Sequence, residues 1–143
     1  MNYSIYLNIK KLNPNDAAAM KEYQKRLSAY CKIGHFCKPA DDLSSLLSAE
    51  KDSAHMINIL IQPGRKTLSS EELAVHINEM GIHGISAVRI WIGYPIPDKS
   101  SDTIHLPVLS LSSMDISTGL TGVVLYEQIY RSYRILNHQP YHK

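Results

Sequence analysis

His55-Met56-Ile57-Asn58-Ile59-Leu60-Ile61-Gln62-Pro63-Gly64 is the stretch on which the fold turns. Its nearly continuous apolar run has strand length, and a strand apolar on both faces belongs inside a parallel sheet with cover on either side. Pro63-Gly64 ends it, and Ser69-Ser70-Glu71-Glu72 reads as a capping box that opens a helix stopping at Gly81. Ile85 to Gly93, with Val88, Ile90 and Ile92, supplies the next apolar strand. The unit is therefore strand, helix, strand.

The same alternation extends outward. Upstream, Tyr3 to Ile9 is β-branched and aromatic, and Asn13-Pro14 with Asp16 starts a helix running to about Tyr30. Lys32 to Lys38 makes a second strand, and Asp41 to Lys51 carries Leu43, Leu46 and Leu47 at helical spacing. Downstream, Leu106 to Leu111 predicts a further strand and Leu120 to Asn137 the last helix. This pattern predicts an α/β fold: a mostly parallel sheet with helices on both faces, whose ligands bind at the carboxyl ends of the strands.

The chain has 143 residues, 44% of them hydrophobic and 20% charged. That size and composition predict a single domain over residues 1–143 and exclude a disordered chain or a coiled coil. No uncharged run approaches the roughly 20 residues of a membrane span, and the start lacks the basic flank of a secretory signal, so the expected location is cytoplasmic with no membrane partner. A net charge of +2 is too small to indicate nucleic-acid binding by bulk charge, which leaves the question to charge distribution. Cys31 and Cys37 fit neither a redox motif nor a disulfide framework, and with His35 they lack a fourth ligand nearby. They read as small buried apolar side chains, and no metal is expected.

Chemistry concentrates in the last third. Glu127, Arg131, Arg134 and His138 fall at i, i+4, i+7 and i+11 and so line one stripe of the last helix, opposite Tyr126, Ile129, Tyr130, Tyr133 and Leu136. Taken alone, that stripe reads first as a solvated face holding one Glu–Arg pair. It is followed, however, by Asn137-His138-Gln139-Pro140-Tyr141-His142-Lys143, where a nucleobase could stack on Tyr141 and Lys143 could meet phosphate. There is no phosphate-cradling glycine loop and no G-x-S-x-G elbow. The remaining site candidates are loops at strand ends: Leu60 to Arg65, Ile92-Gly93-Tyr94 and Leu109 to Met114.

Tyr126-Glu127-Gln128-Ile129-Tyr130-Arg131-Ser132-Tyr133-Arg134-Ile135 followed by Pro140-Tyr141-His142-Lys143 resembles the terminal signature of the small bacterial SPOUT methyltransferases that modify N3 of a pseudouridine in large-subunit (23S) ribosomal RNA. The likeness extends to Leu109 to Met114, to Ile92-Gly93, and to Gly64-Arg65 with Ser69 to Glu72, covering the chain from about residue 55 onward. It implies a carboxyl-terminal trefoil knot, S-adenosylmethionine bound in the knot loops, a homodimer, and ribosomal RNA or the ribosome as partner. Carried over, the cofactor contacts would be Leu60, Gly93, Leu111, Ser112, Ser113, Met114, Asp115 and Ile116. Catalysis would involve His142, Tyr141 and Arg131, with Glu127 beside them, and RNA binding would involve Arg131, Arg134 and Lys143.

This chain departs from the family pattern at several positions. Ile61 stands where the family usually has Asp, Tyr94 where it has a second glycine, Ser117-Thr118 where it has Pro-His, and Gly122 where a basic residue is expected. A tyrosine side chain beside a cofactor can fill the space that a glycine leaves open. These departures keep a second reading in play: a catalytically degraded relative that binds RNA or a protein partner without methyl transfer.

Overall fold

The computed structural model describes residues 1–49, 53–97 and 106–142. Five strands, β1 (Asn2–Leu7), β2 (Lys32–Cys37), β3 (Met56–Ile61), β4 (Ala87–Ile92) and β5 (Val108–Leu109), form one sheet in the order β2-β1-β4-β3-β5. Every pairing is parallel. Four helices connect or cover the strands: α1 (Pro14–Leu27), α2 (Leu43–Ala49), α3 (Ser70–Ile82) and α4 (Thr118–Leu136). None of the described helices is long and apolar enough to cross a membrane.

Strand register fixes which residues share a face, because side chains alternate along a strand. One row aligns Leu7, Ile92 and Ile61, and the row before it aligns Ile5, Ile90 and Ile59. These face the main core, where Met20 and Leu27 of α1, Leu73 and Ile77 of α3, and Leu125, Tyr126 and Ile129 of α4 pack on them. The intervening row, Tyr6, Trp91 and Leu60, points the other way into a smaller cluster closed by Leu43 and Leu47 of α2. Both faces are covered as expected, but unequally: three helices lie on one and a single short one on the other.

The helix starts follow local chemistry. The Asn13 side chain accepts from the Asp16 amide, and Ser69 and Glu72 form a reciprocal capping box, an arrangement worth about 1 kcal/mol. Ser117 caps α4 by accepting from the Leu120 amide. α4 then lies close on α1 because Gly122 has no side chain: a Cβ there would meet Met20 Cε at 2.6 Å. A basic residue at that position would have to displace Met20, so this departure from the family pattern is a packing choice.

Three expectations need correction. The strand predicted over Leu106–Leu111 is only Val108–Leu109, because the Ser110 and Ser112 carbonyls accept from the Leu68 and Gly64 amides of the facing loop instead of continuing the ladder. Cys31 is only partly buried and Cys37 is exposed, since Cys37 ends the edge strand β2. His138 leaves the predicted stripe: α4 ends at Leu136, and His138 adopts a left-handed backbone with φ of 53° as the chain turns back.

Candidate functional site

Parallel strands carry their site at their carboxyl ends, and a large cavity lies there. It has a volume of about 640 Å³ and takes its walls from the loops after β3, β4 and β5 and the first turns of α4. Ile61, Ile92, Leu111, Ile116 and Val124 give apolar surface; Gln62, Ser112, Asp115, Thr118 and Thr121 give polar groups. Gly93 forms one edge with φ of 85°, a backbone that L side chains rarely adopt. A Cβ at Gly93 would collide with Thr118 Oγ1, so helix and loop approach each other only because this residue is glycine.

Of the cofactor contacts carried over from the resemblance, Gly93, Leu111, Ser112, Met114, Asp115 and Ile116 line this cavity. Leu60 does not. Strand alternation turns its side chain into the smaller core, fully buried, and Ile61 and Gln62 take the wall instead. Ser113 also lies outside the lining. Thr118, Thr121 and Val124 were missed; their signal was the spacing of three along a helix that Ser117 caps.

Tyr94 belongs to the cavity wall but is buried rather than projecting into open space. Its ring is 1% exposed and packs edge-on against Trp91 with centroids 5.6 Å apart, and its hydroxyl donates to the Lys38 carbonyl at 2.6 Å. Burial raises the phenol pKa to about 12, so it stays a donor. Ser117-Thr118, the other suspect pair, supplies the α4 cap and part of the wall.

A second group of side chains assembles where the tail folds back on α4. Glu127 Oε1 accepts from Arg131 Nη2 at 2.6 Å, from Arg131 Nε at 3.1 Å and from the Tyr141 hydroxyl at 3.1 Å. Arg131 lies over the Tyr141 ring at 4.9 Å, and the Tyr141 ring stands edge-on to Tyr130 at 4.9 Å. Burial first, then the Glu127 contact, raises the Tyr141 hydroxyl to a pKa of about 12. The Glu127 hydrogen bond holds the Arg131 guanidinium above its ordinary value.

His142 closes the group. Its Nε2 lies 2.6 Å from Glu71 Oε1 and its Nδ1 3.2 Å from Arg131 Nη1. A guanidinium only donates and a carboxylate only accepts, so these partners place the ring proton on Nε2 and leave Nδ1 as the acceptor. Hydrogen bonding from its own backbone amide, then from His142, keeps the Glu71 carboxyl below its ordinary range. In sequence Glu71 belongs to the helix-cap segment Ser69–Glu72, and nothing local links it to a residue 71 positions away.

Arg134 serves the tail rather than solvent: it donates to the Pro140 carbonyl at 3.2 Å and to the Tyr30 hydroxyl at 3.4 Å. Lys143 lies outside the described residues. A groove of about 260 Å³ shares Leu111 and Val124 with the cavity and is lined further by Leu68, Ser69, Ser70, Leu73 and Gln128. Among the described residues no three His, Cys, Asp or Glu side chains converge as a metal site.

A parallel α/β sheet with a nucleoside-sized cavity at its strand ends is the architecture of a nucleotide- or cofactor-binding protein. The chain belongs to the SPOUT methyltransferase family: the family model described as "Predicted SPOUT methyltransferase" matches residues 1–142. It is 39% identical over 146 residues to "Ribosomal RNA large subunit methyltransferase H 1" of Thermoanaerobacter sp. (strain X514), with 100% of both chains covered. It is 36% identical to "Ribosomal RNA large subunit methyltransferase H" of Bifidobacterium adolescentis, covering 87% of this chain and 89% of that protein. The protein of that name from Shouchella clausii is also 36% identical, covering 85% of this chain and 87% of its own length.

The residues present fit the methyl donor that such a family implies. Apolar walls suit a purine and a thioether chain, the polar groups of Gln62, Ser112 and Asp115 suit ribose and amino-acid groups, and the Gly93 edge admits close approach of a ring.

Proposed function

We propose that the protein is an S-adenosylmethionine-dependent methyltransferase acting on N3 of a pseudouridine in 23S ribosomal RNA. The observation that carries this reading is the pairing of a cavity at the strand ends, walled by Gly93 and Leu111, with the cluster that Glu127, Arg131, Tyr141 and His142 form on α4 and the tail. The names of the relatives support the ribosomal substrate.

The bound cofactor would supply an electrophilic methyl group on sulfur. The protein's part begins with orientation: Gly93, Leu111, Ser112, Met114, Asp115 and Ile116 would hold the donor, and aligning donor and acceptor in a dry site is the larger share of catalysis. The acceptor N3–H must lose its proton. His142 Nδ1 is the acceptor that could take it, once Arg131 turns its Nη1 away from the ring toward RNA phosphate. Glu127 keeps Arg131 aimed while that exchange occurs. The Tyr141 ring, braced by Tyr130 and Arg131, offers a stacking surface for a base, and Lys143 would meet phosphate.

The trefoil knot, the homodimer and a cytoplasmic location belong to the same proposal. Exposed Met114 and Leu120 beside the cavity support a two-fold partner covering that end. Light scattering at tens of micromolar should then give twice the chain mass.

The deciding experiment supplies purified protein with S-adenosylmethionine and ribosomes that lack the modification. Label should enter 23S RNA at a pseudouridine, and deleting Tyr141, His142 and Lys143 should abolish this while leaving cofactor affinity within about threefold, about 0.65 kcal/mol. Tight cofactor binding without incorporation by the intact chain would instead support the non-catalytic relative.

A further inference from the structure

The turn after β4 is tied down from three sides. The Gly93 carbonyl accepts from Asn8 Nδ2 at 2.9 Å, and Asn8 in turn accepts from the Ala40 amide at 2.9 Å. The Tyr94 carbonyl accepts from Gln62 Nε2. The Tyr94 hydroxyl reaches the Lys38 carbonyl at 2.6 Å, just past β2, while its ring fills the cluster under α2 beside Trp91. The turn that walls the cavity is thereby fastened to the ends of β1, β2 and β3. A glycine at position 94 would supply neither the ring nor the hydroxyl and would add backbone freedom.

We infer that Tyr94 is a positioning residue for the cofactor: held by its ring in the cluster under α2 and by its hydroxyl at Lys38, it fixes the Gly93–Tyr94 backbone at the cavity wall in its binding shape before the methyl donor arrives. Binding then avoids the conformational entropy of ordering that turn, which is the general advantage of preorganisation. The role rests on the methyltransferase reading. It also reverses the simple steric expectation, under which replacing Tyr94 by glycine would open the site and tighten binding.

The test is calorimetry of S-adenosylmethionine and S-adenosylhomocysteine with the wild type, Tyr94→Phe, Tyr94→Gly and Asn8→Ala, together with steady-state kinetics and thermal midpoints. Tyr94→Phe keeps the ring and loses one hydrogen bond, so Kd and KM for the methyl donor should rise about threefold to tenfold while kcat at saturation stays within twofold. Tyr94→Gly should weaken binding further, and Asn8→Ala should match Tyr94→Phe because it frees the same turn from the other side without removing a cavity-wall group. A structural role alone would lower the midpoint of Tyr94→Phe and leave KM unchanged, which overturns the inference. So would tighter binding by Tyr94→Gly. A wild type that binds neither ligand overturns the methyltransferase reading and this inference together, whereas a wild type that binds as well as all three variants overturns only the inference.

Discussion

The cavity at the strand ends and the tail group on α4 are both needed for the proposed reaction, yet they are built in opposite ways. Cavity walls are backbone turns and apolar side chains, such as Ile61 and Ile92, that belong to the main core as well. The tail group is a web of charged and aromatic side chains laid over the surface of α4, in which each member is held by others of the group or its neighbours. Changes in the first region should therefore alter binding and stability together, because the same atoms serve both. Changes in the second should alter chemistry with little cost in stability, because partly exposed polar pairs contribute little to folding.

The strongest way to break this comparison is His142→Ala. Methylation of ribosomal substrate should fall by about a hundredfold or more, the scale of a lost acid–base group. Cofactor affinity should stay within about twofold and the thermal midpoint within about 2 °C. A matching loss of cofactor affinity would mean that the two regions are one.

Gly93→Ala tests the other side. The left-handed backbone would cost an L residue about 1–2 kcal/mol, and the new Cβ would press on Thr118 and Asn8. Cofactor affinity should drop about tenfold or more and the midpoint should fall by several degrees, in the range of about 3–6 °C. Unchanged affinity at a lowered midpoint would sharpen the contrast by assigning Gly93 to folding alone.

A smaller effect concerns His35, whose ring lies under α4 with Nδ1 2.8 Å from the Tyr126 hydroxyl. Burial lowers its pKa below the ordinary 6.5. The unfolded chain therefore binds a proton more readily than the folded one between the lowered value and 6.5, so stability is full above pH 6.5 and declines as pH falls through that window. Urea midpoints should fall between pH 7.5 and pH 5 in the wild type and less so in His35→Gln. Because His35 is a half-buried residue of β2 that meets α4 at Tyr126, outside the tail group, its protonation should also leave the tail group's activity profile unchanged at saturating substrate.

Much of this was legible in the chain. Asn13-Pro14, the Ser69–Glu72 capping box and the apolar run at Met56–Ile61 announce their elements locally, since caps and hydrophobic period act over a few residues. The terminal signature pointed to the family, and the loops at Gly93 and Leu111–Ile116 to the cavity. Which side of a strand a residue occupies was not settled there: a near-continuous apolar run has no visible period, so Leu60 and Ile61 look alike until register sends one to the small core and the other to the cavity. The partners of His142 and Tyr94 were equally hidden, because Glu71 and the Lys38 carbonyl are brought to them by the crossing of α3 with α4 and by the placement of β2 beside β1. The sequence by itself determined the elements and the chemistry available; only tertiary structure decided which groups meet, because that depends on contacts between residues far apart in the chain.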